Sequence, residues 1–238
     1  MKLKPFRTVA GLVIATSLIG GAALAVPASA ADTRYITISA TGTTTVVPDA
    51  VRINATVSVL GSSSKSALSA ASAAASAVRA ALVANKVGTK DIATQSVTVY
   101  PEYSYPANAT PVLSGYRASQ SFDITVRAAS TAGAVVDAIV EAGGDNLQVN
   151  GVSPFVLDNN AATEKARTYA VGRAKAKAAS YAKLLGIKLG RVIYLDETST
   201  PSSYPIYSAT AKADSTATVI DLGEQKVSVS VTVRWAIG

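Results

Sequence analysis

The chain has 238 residues, of which 49% are hydrophobic and 16% charged; 22 Lys+Arg against 15 Asp+Glu give it a net charge of +7, and it contains neither cysteine nor histidine. The missing cysteine excludes disulfides, thiolate zinc sites, iron–sulfur clusters and cysteine nucleophiles. The missing histidine excludes a Ser-His-Asp triad, an imidazole metal ligand and a neutral-pH imidazole shuttle, which leaves carboxylate, lysine, tyrosine or hydroxyl chemistry, or binding without chemistry.

Lys2, Lys4 and Arg7 precede an apolar run from about Val9 to Val26, and Ala28-Ser29-Ala30 ends it with the small-x-small pattern of a cleavage site. Residues 1–30 read as a signal peptide cut before Ala31. The run approaches the ~20 residues that span a bilayer, so an uncleaved anchor is the alternative. Gly20, Gly21 and the Ala-x-Ala end favour cleavage. No cysteine follows the run, which excludes a lipoprotein, and no twin arginine precedes it, which points to Sec-type export. The expected location is extracellular, periplasmic or wall-associated. Loss of Lys2, Lys4 and Arg7 would lower the net charge from +7 to +4. Residues 31–238 suffice for one large domain or two small ones, stabilised by packing alone.

Tyr35 to Ala40 alternates apolar and polar residues and Thr43 to Val47 continues in β-branched ones; Pro48-Asp49 breaks the run, and Val51, Ile53, Ala55, Val57 and Val59 resume a period of two. This predicts strand, turn, strand. Gly61 and Ser62 to Ser64 open a helix with Leu68, Ala71, Ala75, Val78 and Leu82 on one face, ending at Asn85 to Gly88. Leu68, Val78 and Leu82 are expected to carry its apolar energy. Strands follow at about 96–105 and 115–127, joined by a tip at Pro106 to Pro111, then a helix over 131–142 that Gly143-Gly144 ends, and a strand over 148–156. Residues 159–185 form the longest predicted helix, with Ala166, Ala170, Ala174, Ala178, Tyr181 and Leu185 on one stripe and Gly186 as its stop. A strand at 192–195, a polar segment at 198–215, a brief pairing at Val219-Ile220 and a final strand through Val227, Val229, Val231 and Val233 complete the chain.

The order ββα-ββαβ-αβ-β predicts an α+β fold, antiparallel with helices on one face. Two ββα stretches, 35–86 and 96–142, suggest a weak duplication. An inserted lobe of about 92–157 would sit within a lobe built from both ends.

Between Asn159 and Leu195 lie Lys165, Arg167, Arg173, Lys175, Lys177, Lys183, Lys188 and Arg191 against the single acid Glu164. Such asymmetry attracts anionic lipid or wall polymer, while a solvated helix face is the plain alternative; export removes the protein from nucleic acid. Tyr100-Pro101-Glu102-Tyr103-Ser104-Tyr105-Pro106 and Ser203-Tyr204-Pro205-Ile206-Tyr207 place tyrosines on stiff segments that suit an assembly surface or cap a hairpin core. Ser62-Ser63-Ser64-Lys65 and Ser180-Tyr181-Ala182-Lys183 have the Ser-x-x-Lys spacing of acyl enzymes, but neither Ser-Asp-Asn nor Lys-Thr-Gly accompanies them, so Ser62 to Ser64 read as helix caps. Nothing fixes the separation of Asp145 and Asp158, or makes Asp196 and Glu197 an acid–base pair, and no calcium-loop spacing occurs. No cofactor or metal is expected.

In order along the chain stand Ile38-x-Ala40-Thr41-Gly42, Pro48-Asp49-Ala50, Val87-Gly88, Asp91-Ile92-x-Thr94, Tyr100-Pro101-Glu102-Tyr103, Gly115-Tyr116 and Ala142-Gly143-Gly144. Glu164-x-Ala166-Arg167, Ala170-x-x-Arg173-Ala174-x-x-Lys177-Ala178, Leu185-Gly186-x-x-Leu189-Gly190 and Gly223-Glu224-Gln225 follow. Together they resemble the SIMPL-domain family of exported, mostly bacterial proteins over roughly residues 35–237, departing at Leu222, where the family pattern has proline. The resemblance implies an α+β domain outside the cytoplasm, without established catalytic residues, associated with the cell envelope, stress tolerance and self-association.

The expectation is a non-enzymatic envelope protein that self-associates or docks on an anionic surface. Tyr103, Tyr105, Tyr204 and Tyr207 would be its apolar anchors, and Arg173, Lys175 and Lys177 its source of long-range attraction. The alternative is a small-ligand binder or a His- and Cys-independent enzyme with a cleft between lobes.

Overall fold

The computed structural model describes residues 34–107, 110–197, 202–206 and 218–238; the expected signal peptide lies outside them. The elements are β1 (Tyr35–Val46), β2 (Ala50–Gly61), α1 (Ser64–Ala84), β3 (Ile92–Ser104), β4 (Val112–Val126), α2 (Ala132–Gly143), β5 (Leu147–Phe155), α3 (Asn160–Leu185), β6 (Leu189–Glu197), β7 (Ser202–Ile206) and β8 (Glu224–Ile237). They build two antiparallel sheets. In the first, β8 is central, with β1 on one side and β6 and β7 in succession on the other; the second has the order β3-β4-β2-β5. This is the α+β class that the element order predicts. The added strand is β7, which falls in the segment read as polar loop, while Val219-Ile220 forms no strand.

Pro48-Asp49 does not close a hairpin. β1 pairs with β8, whereas β2 pairs with β4 and β5, so the turn carries the chain from one sheet to the other. Proline supplies no donor to a ladder, and Asp49 anchors the crossing, its carboxylate accepting from the Leu157 N–H at 2.9 Å. The two ββα stretches therefore differ in kind: β3 and β4 pair with each other, β1 and β2 do not. The second sheet, with β3-β4-β2-β5, begins at Ala50 rather than near residue 92, because β2 is one of its two inner strands.

The second sheet packs α1 and α2 on one face, with Val51, Ile53, Val57, Phe122 and Ile124 of the sheet in one core with Val78 and Leu82 of α1 and Ile139 of α2. α1 buries Ala67, Ala71, Ala75, Val78 and Leu82. Leu68, expected in that row, is 39% exposed. The start of the helix presses so close to the sheet that a Cβ on Gly61 would collide with the Ala67 backbone, and Ala67, Ala71 and Ala118 pack together there with Val59 and Tyr116. Ser63 caps the helix in a reciprocal box with Ser66, confirming the serines as a helix start. By length and composition α1 is apolar enough to cross a membrane, but its apolar row lies against β2 and β4.

α3 covers β1 and β8 through Ala162, Ala166, Ala170, Ala174, Ala178 and Ala182. Spaced by four, these methyls form a ridge inclined about 26° to the helix axis, which stays in contact because the sheet beneath is twisted. Tyr181 and Leu185, expected on this ridge, are 42% and 65% exposed. They belong to the neighbouring row of the same spacing. Gly186 ends the helix in the left-handed conformation, φ 67°. Gln225 at the head of β8 ties the sheets together, donating to the Pro154 carbonyl at 2.8 Å. Leu222 packs with Ile220 on the core of the second sheet, and Gly223 makes the turn into β8 at φ 59°.

Candidate functional site

The cations of α3 fall into three situations. Arg167 is tied down: it donates to Glu197 of β6 at 2.7 Å and to Glu164 at 2.6 Å, which lowers the Glu197 pKa and raises its own. Arg173 donates to the Thr41 carbonyl on β1 at 2.9 Å and has no carboxylate in ion-pair distance among the described residues. Lys175 and Lys177 are exposed, with no carboxylate in ion-pair distance among the described residues. Two residues apart on a helix, these lysines cannot share a face, so the three predicted cations divide. Arg173 and Lys177 stand together; Lys175 lies on the other flank.

The row holding Arg173 and Lys177 extends beyond the predicted cations. Tyr169, Arg173, Lys177, Tyr181 and Leu185 recur at a spacing of four and are all exposed. Lys177, Tyr181 and Leu185 border a shallow hollow of about 320 Å³ whose other wall is Ile36 to Ser39 of β1. β1 is an edge strand there. The result is a strip of two cations between aromatic and aliphatic ends. Its signal was present in the sequence, concealed by assigning Tyr181 and Leu185 to the alanine row.

Tyr103 and Tyr105 sit at the outer end of the β3–β4 hairpin, 46% and 76% exposed. Tyr103 is paired with Leu113 and Ser104 with Val112, so exposed Leu113 and Val112 extend the apolar tip. Behind it Arg117 holds Glu102 through both carboxylate oxygens, and the Glu102 pKa is lowered by those bonds. Tyr204 is placed by its backbone in β7, opposite Lys226, in the other sheet from Tyr103. Tyr207 lies outside the described residues. The two tyrosine segments thus belong to different sheets.

The remaining candidates resolve into structure. The hydroxyls of Ser63 and Ser66 bond each other and the helix start, not a lysine. Asp158 accepts from the Asn160 N–H at 2.8 Å. Glu197 faces α3, and Asp196, one residue earlier on the strand, is turned to the opposite face. A hollow of about 180 Å³ is bordered by Asp91 and Arg127, which are bound to each other at 2.7 and 2.8 Å. Another, of about 460 Å³, lies between Val152 to Pro154 of β5 and Thr218 to Asp221, with Asp221 its one ionisable side chain among the described residues. Among the described residues no group of three or more acidic side chains converges as for a metal ion.

One cluster escaped the sequence reading. On the face of the first sheet away from α3, the Arg234 guanidinium lies 4.3 Å from the Tyr35 ring centre and 5.7 Å from that of Tyr194. Its Nε donates to Thr37 Oγ1 at 3.3 Å. Strand alternation marks these side chains as outward, but only the β1-β8-β6 order makes them neighbours.

Fold and surfaces define a two-sheet α+β protein whose perturbed ionisable groups are accounted for by local ion pairs. Within that class, the sequence profile of SIMPL, described as a protein of unknown function (DUF541), matches residues 36–235, and the chain belongs to this family. It is 29% identical over 213 residues to the 26 kDa periplasmic immunogenic protein of Brucella melitensis, covering 85% of this chain and 84% of that protein. The Brucella abortus protein of the same name matches equally. The uncharacterized protein YggE of Escherichia coli is 27% identical over 161 residues, 68% of this chain and 64% of its own.

Proposed function

We propose that this is an exported, non-enzymatic envelope protein that docks on an anionic surface through the flank of α3. The carrying observation is the exposed row Tyr169, Arg173, Lys177, Tyr181 and Leu185, which joins positive charge to apolar ends. Cations are drawn to anionic headgroups at about 1 kcal/mol each near the surface, and tyrosine and leucine insert at the boundary while lysine stems reach outward. The periplasmic name of the Brucella relatives supports the location. The pairing of Asp91, Glu102, Glu164 and Glu197 with arginines supports a binding rather than catalytic role for these carboxylates.

The test is sedimentation of the protein with vesicles of anionic and of zwitterionic lipid, at low and high salt. Binding to the anionic vesicles alone is expected, weakening steeply above ~0.1 M salt, where exposed charges are screened within ~10 Å. Lys177→Glu replaces an attraction by a repulsion and should weaken binding about thirtyfold, for about 2 kcal/mol. Lys175→Glu, on the other flank, should have the smaller effect. Equal effects, or binding indifferent to salt, would refute the strip. Isolated anionic wall polymer in place of vesicles tells which surface is preferred.

Self-association through the β3–β4 tip is the second reading, supported by exposed Tyr103, Tyr105, Val112 and Leu113 gathered at one end of the hairpin.

A further inference from the structure

We propose that the open face of the first sheet, opposite α3, is a binding platform for an extended glycan that carries carboxylate groups. Neighbouring strands put two rows of side chains side by side. Thr37, Arg234 and Tyr194 form one across β1, β8 and β6; Ser39, Thr232 and Asp196 form the next. Tyr35 precedes them on the same face of β1. With strands about 4.8 Å apart and about 3.4 Å per residue along each, the patch measures roughly 10 by 14 Å.

The chemistry of the patch selects its occupant. Among the described residues Arg234 has no carboxylate within ion-pair distance, and its one hydrogen bond is from Nε to Thr37. Its two terminal nitrogens form a planar fork suited to one carboxylate. Tyr35 and Tyr194 hold the guanidinium in place from either side and remain half-exposed. Their electron-rich faces suit the polarised C–H face of a sugar ring. Ser39 and Thr232 bond each other at 2.9 Å, which uses one of their two hydroxyl protons and leaves the other to donate outward. Exposed Asp196 beside them accepts from sugar hydroxyls. None of the three hollows described above includes Tyr35, Tyr194 or Arg234. A flat patch buries little of any compact molecule and favours a flat, repeating one.

The platform is independent of the α3 strip, on the other side of the sheet, and the experiment separates them. The protein, expressed with its own leader and purified, is titrated calorimetrically with alginate, a polymer of uronic acids. Neutral laminarin and inorganic polyphosphate serve as comparisons. Alginate is expected to bind more tightly than either. Arg234→Lys keeps the charge and most of the stem but loses the planar fork, and should raise the alginate Kd about tenfold. Tyr35→Ala should act in the same direction, while Lys177→Glu leaves the alginate Kd within about twofold. Arg234→Lys should leave vesicle binding unchanged. If either variant at the patch unfolds, as read by circular dichroism, Tyr194→Ser on the exposed edge strand takes its place. The proposal is overturned if alginate does not bind, if polyphosphate binds as well, or if the folded patch variants bind as the parent does.

Discussion

Gly42 is the point on which the packing of α3 turns. A Cβ built there falls inside the van der Waals envelope of the Ala166 carbonyl oxygen and the Ala170 nitrogen, with the Ala170 Cα 2.9 Å away. These are helix backbone atoms, which cannot swing aside as a side chain can. Gly42→Ala therefore forces α3 to lift from β1. Ala166, Ala170, Ala174 and Ala178 are completely buried. At about 0.8 kcal/mol per methyl they contribute about 3 kcal/mol, and a radial gap of 0.5–1 Å forfeits a quarter to a half of such contacts. Overpacking strain adds about 1–3 kcal/mol. The expected loss is about 2–4 kcal/mol, or roughly 5–15 °C in Tm for a domain of this size. Gly172 provides the control: it lies within α3, and nothing stands within 4 Å of its would-be Cβ. There the same substitution should stabilise by about 0.5–1 kcal/mol, because glycine loses more backbone freedom than alanine in a helix. Urea denaturation monitored by circular dichroism measures both. If Gly42→Ala lies within about 0.5 kcal/mol of the parent, the range of an inconsequential surface change, the close-packing argument is wrong.

Acid stability carries a second prediction. The Arg127 hydrogen bonds, opposed in part by burial, hold the Asp91 pKa below its ordinary value of 3.8. A lowered carboxylate contributes stability that is complete above the unfolded value and is lost as pH falls through the folded one. Asp91→Asn should therefore destabilise at neutral pH, with its gap from the parent closing below about pH 4 in pH-dependent melts; a gap that stays constant would remove the ion pair as the cause. Replacing Tyr103 and Tyr105 together by serine should lower the molar mass seen by light scattering if the hairpin tip joins copies of the chain; a monomeric parent at both low and high salt would retire that reading.

The strands and helices were legible in the residues because their signals are local: the period-two runs of β1, β2 and β8, the serines before α1, the left-handed glycine after α3. The α+β class follows from their order. Three things were decided by tertiary structure alone. Pro48-Asp49 looks like any strand connection, and only the competition of β8 and β4 for the two strands sends them to different sheets. On α3, neighbouring residues differ by 100° around the axis, so two rows spaced by four look equivalent in the sequence; the twisted sheet and the absent Cβ of Gly42 put the alanines inside and leave Tyr181 and Leu185 outside. Tyr35, Tyr194 and Arg234 are far apart in the chain and become neighbours only because β8 lies between β1 and β6. Sequence determined most of the regular segments and the apolar face of the alternating strands, since those are properties of a short stretch. The surfaces on which function rests arise from pairing between distant segments, and that pairing is settled by the free energy of the whole core.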